Sequence, residues 1–461
     1  MMKQSQRFWL FGWIFCTVLL ACTLSDAPPA TLIPRMTPTV TPPPTIGYST
    51  RAPTTQSQVP QSNAPVEATP DPGLLSLMNQ IQTDRLMAHV RTLQDLGTRH
   101  VNSSQSNPNH GVGAAANYIT GELEKIRDES NGNLYVFPHE FPVTWAGVNS
   151  VQRNIAAIIS GTDVGAGTLI IGAHYDSRGD DLEDGVGYAP GANDNGSGVG
   201  GLIEIARVLS KKPHRATIMI VFFAAEEIGR KGSIAFVNDY VKAQNIDLRL
   251  YINVDAIGSQ SYANGAVNDY QMRVFSAGPN ATSPSRVYAR YLNLVAFNFV
   301  PWMDIAVIDA RDRDGRYGDH FSFYEAGYTA VRVMEMAENS ANLDTEDTID
   351  GVSPGYLQRS TQTLLALLTV LADGPPPPIN VTLRDNGDGT QTLVWASSAD
   401  ATSYIVALRS PNSLIYNQFE TNETSIRWDG FQQYASLIVC AKDQSGLIGP
   451  PSTEIIIQPG V

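Results

Sequence analysis

Three things are scarce in this chain of 461 residues. Cysteine occurs only as Cys16, Cys22 and Cys440, which excludes a disulfide framework whatever the redox compartment. Cations are outnumbered, 31 Lys and Arg against 45 Asp and Glu, giving a net charge of −14 and a pI near 4.9. That balance excludes nucleic acid as a partner, because a phosphate backbone needs clustered Lys and Arg. Long apolar runs are also rare. The clearest, at 8–21, is too short to cross a bilayer comfortably.

That run follows Lys3 and Arg7 and ends Leu19-Leu20-Ala21-Cys22. A charged stretch followed by a short apolar one reads as a targeting segment. With a small residue before Cys it resembles the bacterial lipoprotein signal. The resemblance implies a signal peptide over 1–21, lipidation of Cys22, and an extracytoplasmic protein anchored by lipid to a membrane of the cell envelope; an ordinary secretory signal is the alternative. Residues 22–73 are rich in Pro, Thr, Ser, Gln and Ala, with Thr37-Pro38-Thr39-Val40-Thr41-Pro42-Pro43-Pro44 at their centre. Such a composition cannot bury enough apolar surface to offset chain entropy, so it predicts a disordered tether with a reach on the order of 100 Å.

A larger domain is predicted over 74–373. Apolar residues at helical spacing mark 81–96 and 114–126, and 199–209 is a third helix that opens with small residues. Strands are predicted at 154–159, 168–171, 217–223, 250–254 and 329–336, and a closing helix at 356–371 starts after Ser353-Pro354. Strands alternating with helices predict an α/β fold, an α/β/α sandwich around a mostly parallel central sheet. Ligands of such sheets sit at the carboxyl ends of strands.

Four strings fall at or near those ends: Gly172-Ala173-His174-Tyr175-Asp176-Ser177, Gly191-Ala192-Asn193-Asp194-Asn195-Gly196-Ser197-Gly198, Ala225-Glu226-Glu227-Ile228-Gly229 and Asn253-Val254-Asp255-Ala256-Ile257-Gly258. One His and several carboxylates converging on a cleft suit one or two divalent cations. Taken singly, each has a plainer reading. His174 suits a structural hydrogen bond, Asp194 a helix cap, and Glu226 and Glu227 a solvated pair. Adjacent Glu residues at a strand end diverge, however, so that one can reach a metal while the other faces water. Asp176, two residues past His174, is placed to orient the imidazole.

These strings, with Asp319-His320-Phe321-Ser322-Phe323 and Asp347-Thr348 downstream, resemble the M28 family of metallopeptidases, co-catalytic zinc aminopeptidases with a phosphorylase/hydrolase-like fold. The resemblance runs over about 74–373. It implies that His174 and Asp255 bind one zinc ion, Glu227 the other, and Asp194 both. It implies Glu226 as general base, acting on a metal-activated water, with Asp176 behind the ligands and His320 lining the pocket. The implied substrate is the N-terminal end of a peptide or protein.

One ligand of the family pattern is missing. A last His normally stands in a His-Thr string shortly before Asp-Thr, whereas here the segment reads Glu338-Asn339-Ser340-Ala341-Asn342-Leu343-Asp344-Thr345-Glu346-Asp347-Thr348. With a one-residue deletion Asp344 takes its place; without it, Leu343 does. A fourth carboxylate would leave the cluster net negative and favour harder ions such as Mn²⁺ at the second position. Two functions of different class are therefore expected: an active two-metal, most simply two-zinc, aminopeptidase, or a catalytically impaired binding lipoprotein on the same scaffold.

Pro375-Pro376-Pro377-Pro378 punctuates the chain before a second domain, 374–461. Short alternating segments at 392–395, 403–409, 425–428, 436–441 and 453–457 predict a small all-β sandwich. It resembles a fibronectin type III module with Trp395 and Tyr404 in its core, and Cys440 reads as a buried free thiol. Weak contact with protein or polysaccharide is its expected use, beside a purely structural one.

Overall fold

The computed structural model describes residues 71–313, 315–338 and 344–457. The signal, residues 22–70 of the tether and Leu343 lie outside the described residues, and the tether's last three, 71–73, instead open the first helix. Three helices open the described chain: α1 (Pro72–Met78), α2 (Thr83–Asp95) and α3 (Val112–Glu129). Asp71 caps α1 by accepting from Leu74 N at 2.9 Å, with Pro72 in the first turn, where its missing N–H costs nothing. Helix α2 buries Leu86, Val90 and Leu93, and α3 buries Ile119, Leu123 and Ile126, the stripes that the periodicity predicts.

The central sheet has eight strands: β1 (Tyr135–Trp145), β2 (Val148–Ile159), β3 (Thr168–His174), β4 (Thr217–Phe223), β5 (Leu248–Val254), β6 (Gln271–Ser276), β7 (Asp304–Ile308) and β8 (Ala330–Glu335). Their order is β1-β2-β4-β3-β5-β8-β6-β7. The inner four, β4, β3, β5 and β8, are parallel, but β1 against β2, β2 against β4, and β6 against β8 are antiparallel. With β6 beside β7 also parallel, the sheet is mostly parallel as expected, with antiparallel pairings at its flanks. Its antiparallel flank comes from a long hairpin whose two-residue turn, Ala146 and Gly147, has φ of 47° and 78°, the positive angles that let two twisted strands meet. Pro138 and Pro142 lie in β1, which is the sheet's edge, where a missing N–H leaves no bond unmade.

Both faces of the inner strands are covered. On one, Leu169, Ile171, Ile218, Ile220 and Ile252 pack with α4 (Gly196–Leu209), α6 (Pro284–Phe299) and α8 (Pro354–Asp373). On the other, Ile170, Met219, Val221, Phe223 and Tyr251 meet α5 (Lys231–Phe236), the π-helical turn that follows it, and α7 (His320–Glu325). Burial on two sides explains why β4 reads as an uninterrupted apolar run.

The C-terminal strands form two small antiparallel sheets: β13 (Ser425–Trp428), β10 (Gln391–Val394) and β9 (Thr382–Asp385) in one, and β12 (Asn417–Thr421), β11 (Ala401–Arg409), β14 (Ser436–Asp443) and β15 (Ile455–Ile456) in the other. Trp395 and Tyr404 meet edge to face, 5.3 Å between centroids, inside this sandwich. Cys440 is a fully buried free thiol. The outward face of β11 and β14, with Ile405, Ala407, Ile438 and Cys440, continues into the main core. There Tyr291 of α6 donates to Ile448 O at 2.8 Å, and the buried Arg290 reaches Glu454 at 3.1 Å. Two faces under cover make β11 and β14 almost wholly buried where strict alternation is expected.

Candidate metal centre

Strand β3 delivers His174 at its last position, and β4 and β5 end three residues before Glu226 and one before Asp255. Parallel pairing in register, His174 opposite Phe223 and Gly172 opposite Asn253, brings all three exits to one edge. His174 donates from Nδ1 to Asp176 O at 3.1 Å, so its Nε2 lone pair points away from the strand. It faces Asp194 Oδ1 at 3.1 Å and Asp255 Oδ1 at 3.3 Å.

Asp194 comes from the loop before α4. Gly191 is needed there: its φ is 50°, and a Cβ would lie 2.6 Å from Arg99 Nη2. Asn195, not Asp194, caps α4, accepting from Gly198 N at 3.1 Å, which leaves the Asp194 carboxylate free to face His174. Asp347 holds the loop from behind, accepting from Asn193 N at 2.9 Å and Asp194 N at 2.8 Å. Burial pushes its carboxyl up to about 7 against those bonds.

Asp176 does more than sit behind His174. One carboxylate oxygen accepts from Glu226 N at 3.0 Å and the other from Glu227 N at 3.1 Å, so a single side chain fixes the backbone of both glutamates. Ala225, just before them, has φ 59°, and Ala256, just after Asp255, has φ 54°. Non-glycine residues in that region cost about 1–3 kcal/mol each and persist where the surroundings dictate them.

Two sets of ligand atoms result, each within 4.8 Å of one another: His174, Asp194 and Asp255, and His174, Glu226 and Glu227. One imidazole nitrogen among carboxylates is a donor set that zinc accepts. Electrostatics agree. Burial, then Asp194, pushes Glu227 up to about 8, and burial pushes Asp319 up to about 7. Glu226 rises well above the carboxylate range, from burial first and then Asp319 and Asp255, against the pull of His174. So many buried carboxylates repel one another, and a dication among them offsets that repulsion.

Asp344 is in neither ligand set. Its carboxylate accepts from Glu346 N at 2.7 Å, a local turn bond. His320 is fully buried rather than lining an open pocket. It donates from Nε2 to Arg311 O at 2.7 Å, and burial lowers its pKa to about 4.

Three residues around the site have no role in the sequence reading. Arg99 is completely buried and donates to Tyr175 O at 2.7 Å, Leu93 O at 3.3 Å, Pro190 O at 2.5 Å and Gly191 O at 2.8 Å, joining the loops that carry Asp176 and Asp194. Asp319 has no hydrogen-bond partner for either oxygen among the described residues. Arg332 pairs with Asp255 at 3.0 Å and with Asp312. Its one sequence signal is a cation within the apolar string Ala330-Val331-Arg332-Val333-Met334.

Comparison with known proteins agrees with this geometry. The pattern of peptidase family M28 matches residues 154–368. A protein of Leptosphaeria maculans named "Probable zinc metalloprotease" is 31% identical over 387 residues, covering 77% of this chain and 89% of its own. One of the same description from Pyrenophora tritici-repentis is 32% identical over 354 residues, covering 69% and 81%. Among solved structures, the LapA aminopeptidase of Legionella pneumophila shares the fold with a TM-score of 0.52 at 22% identity, over 67% of this chain and 76% of its own.

Proposed function

Because this chain belongs to peptidase family M28 and is a zinc-dependent metallopeptidase, we propose that it removes N-terminal residues from peptides, with Glu226 as general base. The observation that carries the proposal is the pairing of Glu226 and Glu227 on the Asp176 carboxylate, beside the His174, Asp194 and Asp255 ligand set. His174, Asp194 and Asp255 would hold one zinc ion, and Glu227 with Asp194 a second. Zinc, when bound, supplies Lewis acidity and a lower pKa for water.

The remaining steps belong to the chain. As a water O–H bond breaks and its oxygen joins the scissile carbonyl carbon, the proton passes to the Glu226 carboxylate. Glu226 then gives that proton to the amine nitrogen as the C–N bond breaks. Burial favours the protonated form of Glu226, which suits its return as an acid in the second half. Asp176 keeps the base in place by holding its amide. The expected outcome for the full chain is hydrolysis of aminoacyl reporters with a free α-amino group and little turnover of the same reporters acetylated at nitrogen. Equal cleavage of blocked substrates would contradict the aminopeptidase assignment.

The enzyme also works at a membrane surface of the cell envelope in this reading, lipidated at Cys22 and held off by the segment 22–73. Lys3, Arg7 and the apolar run at 8–21 support it. Among the described residues no helix is long and apolar enough to cross a membrane. Expression in bacteria should place the chain in the membrane fraction and Cys22→Ala in the soluble one; identical partitioning would remove the anchor.

A further inference from the structure

Asp255 has two oxygens in different surroundings. Oδ1 lies 3.3 Å from His174 Nε2 and faces the ligand set. Oδ2 lies 3.0 Å from Arg332 Nη2, with both side chains only 5% exposed. On the same side the backbone of Gly318 comes so near that an added Cβ would sit 3.2 Å from Oδ2 and 2.7 Å from Asn253 Nδ2. One oxygen therefore points into the centre and the other is enclosed by protein.

Arg332 is itself fixed. It stands on β8 opposite Asn253 of β5, so its Cα is set by the parallel ladder next to the strand that ends in Asp255. Its Nη1 donates to Asp312 Oδ2, and Asp312, with a fully buried side chain, accepts through Oδ1 from Arg313 N at 2.7 Å and Arg313 Nε at 3.0 Å. The guanidinium is thus gripped from the far side by a carboxylate that has its own partner. A planar fork held at one end presents its other N–H in a fixed direction.

We propose that Arg332 is a positioning residue of the metal centre, occupying Asp255 Oδ2 so that Asp255 can offer an ion only Oδ1. The inference rests on the metal-site reading above. A carboxylate held by one oxygen keeps its other oxygen aimed at the ion, and a one-oxygen donor leaves room there for water and substrate, which a carboxylate binding through both oxygens would restrict.

The test is zinc titration of the stripped full chain against a chromophoric chelator, for the native protein and for Arg332→Met, Arg332→Lys and Asp312→Asn, with circular dichroism and melting of each without metal. Arg332→Met should lose about tenfold to a hundredfold in zinc affinity, as loss of a partner behind a ligand does. Arg332→Lys should recover part of it, and Asp312→Asn should fall between native and Arg332→Met. The visible spectrum of the cobalt-loaded protein should also change in Arg332→Met, because the second oxygen becomes available. Melting alone would register a merely structural ion pair; ion affinity and the cobalt spectrum would not. A folded Arg332→Met chain with zinc affinity within twofold of native and an unchanged cobalt spectrum overturns the proposal. Should that variant not fold, native affinity in both Arg332→Lys and Asp312→Asn overturns it instead. Failure of the native chain to bind zinc would remove the underlying reading and this inference with it.

Discussion

At the scale of single residues, Asp176 connects the two halves of the centre. Its backbone carbonyl sets the tautomer of His174, and its side chain holds the amides of Glu226 and Glu227. Asn in its place keeps one acceptor but turns an NH₂ group toward the second amide, two donors facing each other. The expected result for Asp176→Asn is a fall in kcat of about tenfold to a hundredfold with little change in KM, measured by steady-state kinetics on a zinc-saturated enzyme. Unchanged kcat would show that the glutamates are positioned by other means. The clustering of His174, Asp194, Glu226, Glu227 and Asp255 was legible in the sequence because each sits beside a strand end or a glycine-rich loop. The grip of Arg99 on four carbonyls was not, since a side chain that bonds only backbone leaves no pattern in neighbouring residue types.

At the scale of elements, α2 and α4 are latched by a buried carboxylate. Glu204 of α4 accepts from Arg85 of α2 at 2.7 Å and from Arg207 at 2.8 and 2.6 Å, with His89 at 3.7 Å. Burial works against its charge, but the nearby His89 and the hydrogen bonds from Arg207 and Arg85 prevail and bring the pKa down to about 2. A folded-state pKa below the unfolded value means stabilisation that is complete above about pH 5 and is lost as pH falls toward about 2. Allowing for the half-exposed Arg85, Glu204→Gln should cost about 2–3 kcal/mol at pH 7, and its stability should converge on that of the native chain in strong acid. Denaturant melts at pH 7 and pH 3 check this; a pH-independent difference would contradict the latch. The same helices show what the sequence could disclose. Regular apolar spacing marks α2, α3 and α8, and continuous apolar runs mark β3, β4 and β5, because their partners lie on known sides. No sequence pattern marks β1, whose prolines suit a sheet edge, β6 and β7, which lie in a stretch without motifs, or β9 and β12 of the sandwich, where few side chains are buried.

At the scale of the whole molecule, two designs meet. A strongly acidic chain with a net charge of −14 gathers several buried carboxylates at one sheet edge and places Arg99 and Arg332 behind them. The C-terminal sandwich is built into the catalytic unit rather than hung from a linker: Gly374 and Gly449 approach so closely that a Cβ on Gly449 would lie 1.9 Å from Pro375 O. The prolines that read as punctuation therefore mark a packed junction. In the proposed function Glu226 moves the proton and other residues hold the zinc ion. The most direct measurement is turnover of a free-amino aminoacyl reporter by native chain and Glu226→Gln, with zinc content determined on the same samples. Chelator-sensitive turnover is expected in the native chain, with a fall of about a hundredfold to ten-thousandfold in Glu226→Gln and equal zinc in both. Native-level turnover in a zinc-replete Glu226→Gln chain, or no turnover from a folded, zinc-loaded native chain, would contradict it.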